Sequence, residues 1–88
     1  MGASWLADWR VMQADVELDV RQLACPLPIL RAKKSLSAMT DGQILRVLAT
    51  DPESPKDFEV FCRQTRNELL GSAQDGEVFT FWIRRLTA

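Results

Sequence analysis

The chain has 88 residues, 47% of them hydrophobic, which is enough for one small domain built on one core. Eleven Lys and Arg against twelve Asp and Glu leave a formal charge of -1, without a run of like charge that would mark a nucleic-acid arm or an acidic tail. Histidine is absent, which removes the usual general base of a hydrolytic triad and the usual nitrogen ligand of zinc, so neither a triad nor a metal site is expected. No cofactor is expected either.

Two cysteines, Cys25 and Cys62, stand far apart and form neither a disulfide framework nor a zinc spacing. No apolar run approaches the roughly 20 residues of a membrane span, and the N-terminus lacks the order of a signal peptide. The expected setting is a reducing cytosol, without membrane or direct nucleic-acid binding.

Residues 1–14 read as an N-terminal extension to a domain over 15–88. Trp5, Leu6, Trp9 and Met12 fit a short apolar helical stripe, too short to be stable unaided, so it reads either as an appendage that docks or as a frayed terminus. From Val16 the pattern is strict alternation: Val16, Leu18 and Val20 are apolar while Asp15, Glu17, Asp19 and Arg21 are charged, a half-buried strand. A helix then starts between Pro26 and Pro28, with Ile29, Ala32, Leu36 and Met39 on one face and Arg31, Lys33 and Lys34 off it. Thr40-Asp41-Gly42 ends it.

The run from Ile44 to Ala49 reads as an inner strand. Ser54, Pro55 and Asp57 resemble a cap, a first helical residue and a first-turn carboxylate for a second helix. On it Phe58, Phe61, Cys62, Thr65 and Leu69 share one side, and Gly71 offers a left-handed stop. Asp75-Gly76 reads as the turn of a hairpin between a short strand and a longer one, in which Phe79, Phe81 and Ile83 share one face and Val78, Thr80 and Trp82 the other. The expected fold is a two-layer α/β sandwich in the order β-α-β-α-β-β, a four-stranded mixed sheet with two helices on one face. Trp82 then points to the uncovered face.

Cys25-Pro26-Leu27-Pro28 concentrates the chemistry. A thiol ahead of a helix can approach the free amides of the first turn, and Arg21 and Arg31 are near in sequence, so the thiolate is expected to be favoured. The prolines cost the first turn little, because its N–H groups have no intrahelical partner. Local chemistry alone leaves open a structural role for Cys25 at a turn. Cys62, on the apolar stripe, reads as inert core.

The stretch Leu18-Asp19-Val20-Arg21-Gln22-Leu23-Ala24-Cys25-Pro26-Leu27-Pro28 resembles the signature of the TusA/SirA-like sulfur-carrier family, in which Leu-Asp, a spacer and Cys-Pro-x-Pro open the first helix. Thr50-Asp51-Pro52, Lys56-Asp57, Phe61-Cys62, Glu68-Leu69, Asp75-Gly76 and Ile83-Arg84 resemble family positions in the same order. The resemblance implies the two-layer sandwich and a carrier, not a turnover enzyme. It implies that Cys25 accepts sulfur as a persulfide from a cysteine desulfurase or rhodanese and yields it to an acceptor protein, for tRNA thiolation, cofactor synthesis or sulfur oxidation. Pro26, Pro28, Asp19 and Asp51 support the motif on this reading. Arg21, Arg31, Lys33 and Lys34 are candidates for docking the partner.

Two positions depart from the family pattern. Gln22 stands where glycine is common, so a left-handed angle there costs more, and Thr50 replaces a frequent acidic residue. Two other readings differ in class. One is a non-catalytic interaction module using Trp5, Trp9 or Trp82; the other is a thiol-disulfide protein using Cys25 with Cys62.

Overall fold

The computed structural model describes residues 14–86, and its elements follow one another as β1 (Val16–Val20), α1 (Leu27–Ser37), β2 (Ile44–Ala49), α2 (Ser54–Thr65), β3 (Glu68–Asp75) and β4 (Val78–Arg84). The expected order is met. The sheet runs β1-β2-β4-β3, with β1 parallel to β2 and the other two pairings antiparallel. A parallel pair requires a crossover, which α1 supplies, whereas β3 and β4 need only a hairpin.

Alternation along the strands produces the layers. Val20, Leu45, Val47, Ala49, Phe81 and Ile83 join Ala32, Leu36 and Met39 from the α1 side and Phe58, Phe61 and Cys62 from α2 in one buried cluster. Both helices therefore share one sheet face. Phe58 is the centre of this layer: it is fully buried, stacks on Phe81 at 4.7 Å between ring centroids and meets Phe61 edge-on at 6.3 Å.

Four local expectations change. Ser54 is not the N-cap of α2; Glu53 holds that position, and Ser54 is buried inside the first turn while its own amide donates to the Asp51 carbonyl at 2.9 Å. The left-handed stop of α2 is Arg66, at φ 62, and Gly71 lies in β3 opposite Trp82 beside a register shift. Tertiary pairing draws Leu69 and Gly71 into the sheet, so the helix ends earlier than its apolar spacing suggests. The hairpin turn is Gly76-Glu77, since Asp75 already pairs with Val78 and the positive φ of 63 falls on Gly76. Finally, α1 ends at Ser37, and Met39 joins the core from beyond it. There the Arg85 guanidinium donates to the Leu36 carbonyl at 2.9 Å, placing a cation at the negative end of the helix.

Trp82 lies on the face away from the helices, as its register between Phe81 and Ile83 requires. That face is not open at this point, because Trp82 is only 4% exposed. The expected docking of the N-terminal stripe falls outside the described residues.

Candidate functional site

Parallel β1 and β2 end side by side, with Val20 opposite Ala49, and the loops leaving them carry the motif cysteine and Thr50-Asp51-Pro52 respectively. The two loops are tied by two hydrogen bonds. The Gln22 amide donates to Thr50 Oγ1 and the Cys25 amide donates to Asp51 Oδ2, both at 2.9 Å. The other Asp51 oxygen accepts from the Glu53 amide at 3.2 Å. One carboxylate thus fixes both the cysteine loop and the entry to α2.

Within the cysteine loop Gln22 takes φ 72, a left-handed angle that glycine adopts more cheaply. The loop accepts this strain to reverse direction after β1. Asp19 then closes the turn from the other side. Its carboxylate accepts from the Arg21 amide and from both Nε and Nη2 of the Arg21 side chain at 2.8–3.0 Å. These bonds, first among them the side-chain pair, hold the Asp19 carboxyl down at about 2. Arg21 is consequently paired away from the thiol.

The Cys25–Pro26 peptide bond is cis, Pro26 caps α1 and Pro28 is buried within its first turn. Cys25 itself is exposed. It opens onto a shallow hollow of about 300 Å³ between the helices, lined by Pro26 and Ile29 from one side and Lys56, Asp57, Val60, Phe61 and Gln64 from the other. Its lining is mainly apolar.

The expectation of a favoured thiolate is overturned. The Cys25 pKa is raised, first by loss of water around the sulfur, then by a hydrogen bond with Asp57, then by the charges of Asp57, Asp51 and Glu53. All three carboxylates come from the β2–α2 loop and the start of α2. They are remote in sequence, which is why neighbouring arginines suggested the opposite sign. Arg31 and Lys34 line a different groove with Leu18, Leu27, Leu30 and Ser35, and Lys33 is exposed on α1. Lys56 is the cation that the fold does bring to the hollow. Asp57 and Lys56 were legible as a matching pair in the sequence, but nothing local connected them with Cys25.

Cys62 is buried, and desolvation pushes its thiol up to about 11. It has the properties of a small hydrophobe. Both cysteines are free. Among the described residues no cluster of acidic or cysteine side chains has the makings of a metal site, and no helix is long and apolar enough to cross a membrane.

Comparison with known proteins supplies the family. The model of the family described as sulfurtransferase TusA matches residues 16–85. The chain belongs to the TusA family. A TusA-family protein of Allochromatium vinosum named sulfur carrier protein TusA is 58% identical over 71 residues, 81% of this chain and 93% of the relative. A protein of Neisseria meningitidis serogroup A named as a putative sulfur carrier is 55% identical over 67 residues, covering 76% of this chain and 90% of its own length. Among solved structures, a SirA-like protein from Desulfitobacterium hafniense superposes with a TM-score of 0.71 at 22% identity, over 82% of this chain and 99% of that one. This structural likeness supports the TusA-type sandwich and is too distant in sequence to bear on function.

Proposed function

We propose that this protein is a sulfur carrier in which Cys25 receives a sulfane sulfur from a persulfide-bearing donor and passes it to an acceptor protein. The observation that carries the reading is an exposed, free cysteine at the mouth of a shallow apolar hollow, in a chain 58% identical to a named sulfur carrier. A hollow this open suits a handover between proteins better than turnover of an enclosed small substrate.

In the transfer, the Cys25 thiol loses its proton and attacks the outer sulfur of the donor's persulfide. A new S–S bond forms as the donor's S–S bond breaks, and the donor leaves as a thiolate that takes up the proton. No oxidant or reductant enters. Delivery reverses the roles, with Cys25 as the leaving thiolate.

The raised thiol pKa keeps free Cys25 mostly protonated at neutral pH and therefore a weak nucleophile. A donor whose surface is basic near its own persulfide would offset Asp51, Glu53 and Asp57 on docking and release the thiolate there. Leu27 and Leu30, 44% and 54% exposed on α1, offer apolar area beside the motif. Arg31, Lys33 and Lys34 on the same helix could pair with a partner's carboxylates. A cysteine desulfurase or a rhodanese is the donor class this chemistry fits, and a reducing cytosol is its setting.

The test is incubation with a cysteine desulfurase and cysteine, and separately with a rhodanese and thiosulfate, followed by intact mass. One added sulfur atom, removed by reductant and absent from Cys25→Ser but present in Cys62→Ser, is expected. Labelling confined to Cys62, or none with either donor class, overturns the reading.

A further inference from the structure

Cys25 is exposed, and the hollow of about 300 Å³ beside it is shallow. A small thiol in solution can therefore reach the sulfur as readily as a partner protein's cysteine can. Shape alone does not tell the two apart. A carrier that hands its sulfur only to the right acceptor needs another means of discrimination, and charge is the means that an open site retains.

Three carboxylates act on that sulfur. The Cys25 thiol donates to Asp57, which lines the hollow, and Asp51 and Glu53 add their charge from the segment ahead of α2. Asp51 is held in place, since it accepts from the Cys25 amide at 2.9 Å and from the Glu53 amide at 3.2 Å. Asp51 and Asp57 are half-buried, where salt screens a charge less than at the open surface. Cations do not cancel them. Arg21 is bound to Asp19 through two side-chain nitrogens, and Arg31 and Lys34 line another groove. Among the described residues Lys56 is the cation that lines the hollow, and its one ammonium stands against three carboxylates. Carboxylates at a helix N-terminus also favour the helix. Helix stability does not require that they converge on a thiol carried by a different loop.

Given the carrier role proposed above for Cys25, we propose that Asp51, Glu53 and Asp57 are specificity determinants, which repel anionic low-molecular-weight thiols such as glutathione and so keep the carried sulfur for a protein acceptor. The reaction that they slow is a simple exchange. A small thiolate attacks the outer sulfur of loaded Cys25, forms a new S–S bond and departs as its own persulfide. Cys25 leaves as a thiolate and takes up a proton. No oxidant or reductant enters, so approach of the attacking thiolate governs the loss. An attacker with a carboxylate or sulfonate brings extra negative charge into the field of the three carboxylates, and the repulsion grows with that charge.

A protein acceptor meets the same field but can bring its own Lys or Arg side chains, which offset the carboxylates on docking. The three acids thus act against small anionic thiols and in favour of a basic protein surface. In a compartment kept reducing by glutathione, this difference decides how long the sulfur stays on Cys25.

The experiment uses the full chain, loaded by a cysteine desulfurase or a rhodanese, and follows loss of the added sulfur by intact mass. Mercaptoethanesulfonate, mercaptoethanol and cysteamine supply an anionic, a neutral and a cationic thiol, and each rate is divided by the thiolate concentration. The readout is the anionic-to-cationic rate ratio, compared between variants so that the intrinsic reactivity of each reagent cancels. Glu53→Gln combined with Asp57→Asn should raise that ratio several-fold, each single change should raise it less, and Lys56→Gln should lower it. Glu59→Gln, exposed on the same helix, should leave it in place. Added salt should raise the ratio in the parent and act less on the double variant. An unchanged ratio in the folded double variant overturns the proposal. So does an equal rise in Glu59→Gln, which would assign the effect to net charge. On the empty protein, the ratio of Cys25 alkylation by iodoacetate to that by iodoacetamide should follow the same order, without any carried sulfur. A chain that fails to load but keeps this order retains the charge discrimination and loses the carrier reading. One that loads normally and shows no order in either assay retains the carrier reading and overturns the discrimination.

Discussion

The Cys25 amide donates to Asp51 Oδ2 at 2.9 Å, joining the loop after β1 to the loop after β2 across 26 positions of sequence. The same carboxylate accepts from Glu53 with its second oxygen. Asp51→Ala should free both amides and cost about 1 to 3 kcal/mol, since charged acceptors make the stronger hydrogen bonds. Asp51→Asn, which keeps one acceptor, should cost less. Urea unfolding of the two variants checks the order. Faster proteolysis at the Cys25 loop in Asp51→Ala than in Asp51→Asn would tie the loss to that loop.

Asp57 opposes ionisation of Cys25 through both its hydrogen bond and its charge. The sign follows directly: a neighbouring anion disfavours the thiolate, so removing the anion lowers the thiol pKa. Asp57→Asn should alkylate faster with iodoacetamide at neutral pH, with its rate-versus-pH midpoint shifted to lower pH. Glu59→Gln, on the same helix and exposed, should leave the profile in place. A midpoint that moves up in Asp57→Asn would contradict the electrostatic account.

Gln22 carries φ 72, a left-handed angle that strains a residue with a Cβ. Gln22→Gly should relieve about 1 kcal/mol of left-handed strain, offset in part by the greater freedom of glycine in the unfolded chain. The net expectation is a small rise in melting temperature. Because the Gln22 amide still reaches Thr50 Oγ1, sulfur loading of Cys25 should be retained.

Phe58 has no exposed surface and stacks on Phe81. Phe58→Ala should cost about 3 to 5 kcal/mol, the range for an aromatic removed from a tight core. In a domain this small that is a large share of the whole stability. Chemical denaturation should show a much lower midpoint, and Phe58→Leu should recover much of it.

Cys62 gives an alkaline signature. Burial raises its pKa from 9.0 to about 11, so between those values the native state holds a proton that the unfolded state has released. Stability is therefore full below about pH 9 and declines as pH rises toward 11. Cys62→Ala should be less stable throughout, because of the cavity, but with a shallower decline over that interval. A slope as steep as in the parent would remove Cys62 as its cause.

Periodicity specified β1, β2, β4 and the two helices, the Asp75-Gly76 turn signal marked β3, and the economy of two layers put both helices on one face. Val16, Leu18 and Val20 alternate because one side of β1 meets the core, and Ala32 and Leu36 recur because one stripe of α1 does. The hairpin was legible in Gly76, although its turn sits one residue further on. Where tertiary contacts outweighed local preference, the reading failed. Ser54 looked like a cap and is buried, and Gly71 looked like a helix stop and is a strand residue.

The sequence by itself determined that a cysteine stands between a strand and a proline-bearing turn, because that information lies in adjacent residues. It could not determine the electrical surroundings of that cysteine. Neighbours in the chain are cationic, but the parallel pairing of β1 with β2 brings Asp51, Glu53 and Asp57 to the sulfur and leaves Arg21 bound to Asp19. Electrostatic effects depend on distance in space, and only the fold converts sequence order into that distance.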